Sequence, residues 1–106
     1  MAQARISVPK NAAKGEVIEI KTLIQHPMET GFRRDLDGKV IPVHIIDRFV
    51  CTYNGEEVFR ADFHPSIAAN PYLTFHTVAT EPGRLEFAWH DDDGSVYRES
   101  AEIEVS

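Results

Sequence analysis

Gly83-Arg84-Leu85-Glu86-Phe87-Ala88-Trp89-His90, closed by Asp91-Asp92-Asp93-Gly94, is the stretch on which the fold turns. Leu85, Phe87 and Trp89 alternate with Arg84, Glu86 and His90. A period of two puts the apolar set on one face of a half-buried strand. Pro82-Gly83 opens this strand, and the acidic turn Asp91 to Gly94 sends the chain back through Val96 to Val105. Upstream, Tyr72 to Val78 keeps Leu73 and Phe75 in phase. Ile45 to Tyr53 does the same with Phe49, Cys51 and Tyr53. Asn54-Gly55 then supplies two residues that accept positive φ, the strongest short hairpin signal. The returning strand runs through Phe59 and Phe63 and stops before Pro65. Near the N-terminus, Ala4 to Val8 ends at Pro9. Lys14-Gly15 leads into Glu16 to Gln25, where Ile18, Ile20 and Ile24 share a face opposite Glu19 and Lys21. No stretch of helical length holds a 3.6-residue apolar period, although residues 66–69 could make one turn. About seven strands in one domain spanning 1–106 predict an all-β, immunoglobulin-like two-sheet sandwich, without the Cys-Trp-Cys framework of antibody domains.

Composition narrows the function. The chain has 106 residues, 42% of them hydrophobic, and a formal charge of −6. That is enough for one core, and the negative balance repels phosphate backbones, so no nucleic acid is expected as a partner. Only a short stretch such as Arg33-Arg34 could make local contacts of that kind. The apolar runs are too short for a membrane span, and the N-terminal residues do not read as a signal peptide. Composition alone would place the protein in the cytoplasm.

The residues that could carry chemistry read mostly as structural. Cys51 is the one cysteine, so no internal disulfide and no multi-thiolate metal site is expected. It lies in mid-strand, in phase with Phe49 and Tyr53, as a buried apolar thiol would. His26, His44, His64, His76 and His90 show no ligand spacing, and His26 and His64 precede prolines that mark exits from strands. Asp91-Asp92-Asp93-Gly94 suggests calcium, but aligning Gly94 as the sixth position of an EF-hand loop puts Trp89 first and Ser100 last. A solvated hairpin turn is the expectation there. There is no Gly-x-Ser-x-Gly elbow and no phosphate loop. The sequence thus predicts no catalytic residue, no metal and no cofactor.

Residues 26–44 break the strand rhythm and carry six formal charges, on Glu29, Arg33, Arg34, Asp35, Asp37 and Lys39. Connections longer than about 12–15 residues are often functional. A surface hairpin turning at Asp37-Gly38 is equally compatible with the pattern.

Three stretches are more specific than composition. They are His26-Pro27-Met28-Glu29-Thr30-Gly31 with Arg33-Arg34-Asp35 and Gly38-Lys39 to Ile41-Pro42; Ala69-Asn70-Pro71-Tyr72-Leu73; and Asp91-Asp92-Asp93-Gly94-Ser95 with Tyr97. In this order and spacing, from about Ile6 to Val105, the chain resembles the SoxZ family of bacterial thiosulfate oxidation. The resemblance implies an immunoglobulin-like subunit without catalytic residues. It would form a heterodimer with a SoxY-like sulfur-carrier subunit, whose cysteine sits on a flexible Gly-rich arm, and dock transiently to other Sox enzymes. It also implies a periplasmic location reached by export with the signal-bearing partner, against the composition. This chain ends Ile103-Glu104-Val105-Ser106, without such an arm, as expected of the Z subunit. His26, Pro27, Met28, Glu29, Arg33, Arg34, Asn70, Pro71, Tyr72, Asp91, Asp92 and Asp93 are the candidate contacts with protein partners. Two other readings stay open at this point. One is a free-standing immunoglobulin-like binding or scaffold domain, and the other is a thiol carrier using Cys51.

Overall fold

Eight strands make up the regular structure of a computed structural model that describes residues 3–26, 28, 34–40, 45–63 and 71–106. They are β1 (Gln3–Ser7), β2 (Asn11–Ala12), β3 (Val17–Gln25), β4 (Ile46–Tyr53), β5 (Glu56–Asp62), β6 (Tyr72–Val78), β7 (Gly83–Asp91) and β8 (Val96–Val105). One sheet has the order β1-β3-β6 and the other β2-β8-β7-β4-β5. This is the expected all-β, immunoglobulin-like two-sheet sandwich. The expected helical turn at 66–69 lies outside the described residues.

Seven of the strands follow the apolar alternation. The eighth, β2, is a two-residue strand that pairs in parallel with the end of β8, Asn11 opposite Glu104 and Ala12 opposite Val105. Two residues carry no readable alternation, and this one is held from outside. Glu104 N–H donates to the Lys10 carbonyl at 2.9 Å and Ser106 N–H to that of Ala12 at 3.1 Å.

The core forms where the inward phases of the two sheets meet. Ile18, Ile20 and Ile24 come from β3, Phe75 from β6, Phe49, Cys51 and Tyr53 from β4, and Leu85, Phe87 and Trp89 from β7. Phe49 sits at its centre, with ring centroids of Trp89 at 5.1 Å, Phe75 at 5.9 Å and Phe59 at 6.1 Å. Each such side chain contributes roughly 1.5–3 kcal/mol on burial. Thr22 shares the inward phase of β3, and its hydroxyl has no hydrogen-bond partner among the described residues.

The hairpin expected at Asn54-Gly55 is present. Asn54 has φ 51° and Gly55 φ 84°, the two positive values that a two-residue turn needs to match strand twist. Asn54 also accepts from Arg84 N–H at 2.9 Å, tying the turn to the start of β7. A second small hairpin occupies the described part of the long segment. Arg34 bridges Val40, Asp35 N–H donates to the Lys39 carbonyl at 2.9 Å, and the Asp35 carboxylate accepts from the N–H groups of Asp37 and Lys39. The turn at Asp37-Gly38 is therefore real.

Candidate functional site

Two polar residues extend the apolar phases by one step. In β3 the inward series Ile18, Ile20, Thr22, Ile24 leads on to His26, and in β7 Leu85, Phe87, Trp89 leads on to Asp91. Both therefore turn into the sandwich at the same end of the molecule. They meet there across 65 residues of sequence, His26 Nε2 lying 2.8 Å from Asp91 Oδ2 with side chains 1% and 0% exposed.

The bonds around the pair set its protonation pattern. Met28 N–H donates to His26 Nδ1 at 3.0 Å. That nitrogen is thus the acceptor, and Nε2 carries the hydrogen given to Asp91. Asp91 Oδ2 also accepts from the Tyr97 hydroxyl at 3.2 Å, and Oδ1 from Asp93 N–H at 3.2 Å. Burial, with the neighbouring Asp91 charge next in weight, pushes the Tyr97 phenol above its ordinary pKa.

Met28 completes the clamp. Its φ of 50° is left-handed, a conformation that costs a non-glycine residue energy and persists where the surroundings impose it. Its side chain is buried, and its Sδ accepts from Ile46 N–H at 3.3 Å. Asp92 and Ile45 exchange two bonds, Asp92 N–H to the Ile45 carbonyl at 3.0 Å and Ile45 N–H to Asp92 Oδ1 at 3.3 Å. Pro71 joins the same end, its carbonyl accepting from Ile24 N–H at 3.2 Å.

The structure thus gathers parts of all three quoted stretches at one pole. Pro27, Glu29, Arg33 and Asn70 lie outside the described residues. Of the others, His26, Met28, Pro71 and Asp91 are buried, and Arg34, Tyr72, Asp92 and Asp93 are exposed. The solvated-turn expectation needs correction at Asp91. The turn does reverse β7 into β8, with Asp91 N–H donating to the Ser95 carbonyl at 2.9 Å, but its first carboxylate is buried as the anchor for His26. The signal for this was the phase itself, continued one residue beyond each apolar series.

Chemically, the pole is a clamp. Both ring nitrogens of His26 are engaged and shut off from solvent, so the pair cannot serve as a base toward a dissolved substrate. Cys51 is fully buried in β4, and burial pushes its thiol from 9.0 up to about 12. Among the described residues, no group of three His, Cys, Asp or Glu side chains is placed to hold a metal ion. No helix there is long and apolar enough to cross a membrane.

Residues 5–102 match the family described as sulphur oxidation protein SoxZ. The chain belongs to the SoxZ family. No curated protein matches the sequence. Among solved structures, this SoxZ-family chain is similar to a superoxide reductase (neelaredoxin) from Ignicoccus hospitalis. Identity is 17%, the TM-score is 0.74, and the match covers 97% of this chain and 79% of the other. It is similar also to the sulfur carrier protein SoxY from Chlorobium limicola, at 15% identity and TM-score 0.67, over 97% of this chain and 78% of that one. A CARDB domain from Pyrococcus furiosus matches at 12% identity and TM-score 0.54, over 100% of this chain and 94% of that one. At these identities the likeness is one of fold. The SoxZ match itself makes this a protein of sulfur oxidation.

Proposed function

We propose that the chain is the non-carrier, non-catalytic subunit of a periplasmic sulfur-carrier complex. It pairs one-to-one with a SoxY-like subunit and helps present that subunit's covalently bound sulfur intermediates to the thiosulfate-oxidation enzymes. The observation that carries this reading is the state of Cys51 in a member of a sulfur-oxidation family. A thiol with a pKa near 12 is about one part in 10⁵ thiolate at neutral pH, and the thiolate is the form that attacks sulfur. Full burial also denies it a path to any bulky adduct. On this reading the carrier thiol comes from another chain.

On this reading the subunit is a single rigid domain that widens the docking surface around the partner's arm. Tethering keeps the intermediate at high effective concentration beside each enzyme. His26, Met28 and Asp91 shape the pole from inside, and Arg34, Tyr72, Asp92 and Asp93 are the side chains a docking protein would touch. Pro27, Glu29, Arg33, Asn70 and Pro71 belong to the same proposed contact region.

The test is to mix the chain with the SoxY protein of the same organism and measure mass by size-exclusion chromatography with light scattering. A one-to-one complex is expected, burying upwards of about 1,200 Å². In the reconstituted system, Cys51→Ala should keep thiosulfate-dependent turnover. Separate elution at micromolar concentrations, or loss of turnover in a Cys51→Ala variant that still folds and pairs, overturns the reading.

A further inference from the structure

Strand β6 closes one side of the three-stranded sheet and, among the described residues, has a neighbour, β3, on one edge only. The register shows which of its backbone groups are used. Ile24 N–H donates to the Pro71 carbonyl at 3.2 Å, and Ala79 N–H to that of Glu16 at 2.8 Å. Every second residue between these points turns its N–H and C=O toward β3, so Leu73, Phe75 and Thr77 are spent within the sheet. Tyr72, Thr74, His76 and Val78 turn theirs outward, and no described residue hydrogen-bonds to them.

An open edge of this kind is normally blunted by charge, proline or a bulge. One edge strand of the other sheet, β5, is blunted in this way. It carries Glu56, Glu57, Arg60 and Asp62, and its pairing with β4 shifts register between Cys51 and Thr52. Strand β6 reads Tyr-Leu-Thr-Phe-His-Thr-Val, without a Lys, Arg, Asp, Glu or Pro, and leaves Tyr72 57% and Val78 44% exposed. The rings of Phe59 and Phe75 stack at 4.3 Å, which brings β5 and β6 close across the two sheets. Near the Val78 end a groove of about 360 Å³ lies between them, lined by Val58, Thr77 and Val78 and by Glu56 and Glu81.

We infer that the free edge of β6 takes up an extended strand of the SoxY-like partner, which adds to the sheet through the outward groups of Tyr72, Thr74, His76 and Val78. This deepens the proposed function and rests on it. Main-chain bonds along the edge supply affinity, and alternate side chains supply specificity. The incoming strand therefore carries small apolar residues against Val58 and Val78 and a Lys or Arg toward Glu56 and Glu81. A second copy of this chain is the poorer occupant, because each copy brings a formal charge of −6 to the contact. The SoxY fold resembles this one over 97% of the chain, so the partner is itself a sandwich with edge strands to offer. The pole at which Asp92 and Asp93 are exposed is then left for the enzymes that the pair visits.

Amide hydrogen exchange on the intact chain, alone and with the SoxY protein of the same organism, tests this directly. The amides of Thr74 and His76 should exchange fast in the free chain and at least a hundredfold more slowly in the complex. Those of Phe75 and Thr77 are protected in both. Thr74→Pro removes one outward N–H without touching the bonds to β3, and should weaken pairing at least tenfold, whereas Thr74→Ala stays within about twofold. If the partner binds while Thr74 and His76 exchange as before, the edge assignment is wrong and the carrier-subunit reading stands. If the same protection grows in the chain alone with concentration, a second copy is the occupant and the inference is overturned. If no partner binds at micromolar concentration, both fall.

Discussion

Asp91→Ala should be the most damaging single change at the pole, and its cost follows from the bonds it removes. The carboxylate accepts from His26 Nε2–H at 2.8 Å, the Tyr97 hydroxyl at 3.2 Å and Asp93 N–H at 3.2 Å. His26 is 1% exposed, so its ring hydrogen cannot turn to water, and an orphaned buried donor costs about 1–3 kcal/mol. The half-buried Tyr97 and the exposed Asp93 can turn to water and add less. The expected loss is therefore about 2–4 kcal/mol. At about 2.1 cal/mol/K per residue, this chain's unfolding entropy makes each kcal/mol worth about 4–5 °C, so Tm should fall by roughly 10–20 °C. Asp91→Asn keeps one acceptor for His26 but sets an amide hydrogen against Asp93 N–H, and should lose about half as much. The double variant with His26→Ala should lose less than the sum, by about 1–2 kcal/mol, because the two side chains share a bond. Urea unfolding read by Trp89, 1% exposed and two residues from Asp91, measures the parent and the four variants, His26→Ala alone among them. An Asp91→Ala variant within about 0.5 kcal/mol of the parent would falsify the clamp.

Three further outcomes follow from other parts of the molecule. The buried Cys51 thiol holds its proton up to about pH 12, while in the unfolded chain it ionises near 9.0, so its contribution is complete below about pH 9 and is lost as pH rises toward 12. Denaturation between pH 9 and 11 should show stability falling by up to about 1.4 kcal/mol per unit from this group, and Cys51→Ala should flatten that slope while costing about 1–2 kcal/mol at neutral pH. Calcium should give no saturable change in Trp89 fluorescence below millimolar, since Asp92 and Asp93 already accept from Ile45 and Ser95 N–H groups; a micromolar transition lost in Asp91→Asn/Asp93→Asn would refute this. In Gly83→Ala the new methyl would collide with the Asn54 side chain, which bonds Arg84 N–H and Glu81, and a loss of about 1–3 kcal/mol is expected, against a smaller one for Gly15→Asn, where the space is open and only the φ of 87° is unfavourable to a side chain.

Most of the sandwich was legible because its core is built by strict alternation. Residues 85, 87 and 89, or 49, 51 and 53, can face inward together only on strands, and Asn54-Gly55 leaves one way to join β4 to β5. Strand β2 was hidden because two residues have no period, and its partner lies at the far end of the chain. Thr22 was passed over in the inward series of β3 because its side chain is polar, although its phase was as clear as that of its isoleucine neighbours. The pairing of strands into sheets β1-β3-β6 and β2-β8-β7-β4-β5 depends on contacts distant in sequence, which local pattern does not encode.

The site was legible residue by residue and hidden as a unit. Phase alone turns His26 and Asp91 inward, but their meeting requires β3 and β7, in different sheets, to end at the same height. What the pair contributes is also more specific than stability. A buried ionisable pair is a weak source of net folding energy, because removing both groups from water offsets much of their attraction. Two apolar side chains at these positions would fill the same space without dictating where the chain goes next. His26 adds a constraint of direction, because its Nδ1 holds the N–H of Met28, a residue whose φ is 50° and whose Sδ in turn accepts from Ile46 N–H. Replacing both side chains by leucine, in the double variant His26→Leu/Asp91→Leu, therefore separates the two roles. Folding stability should stay within about 1–2 kcal/mol of the parent, while association with Sox partners at the pole should weaken as the entry to the 26–44 segment loses its fixed direction. Unchanged association in that double variant, measured by titration calorimetry on the reconstituted pair and its enzymes, would show that the clamp serves the fold alone.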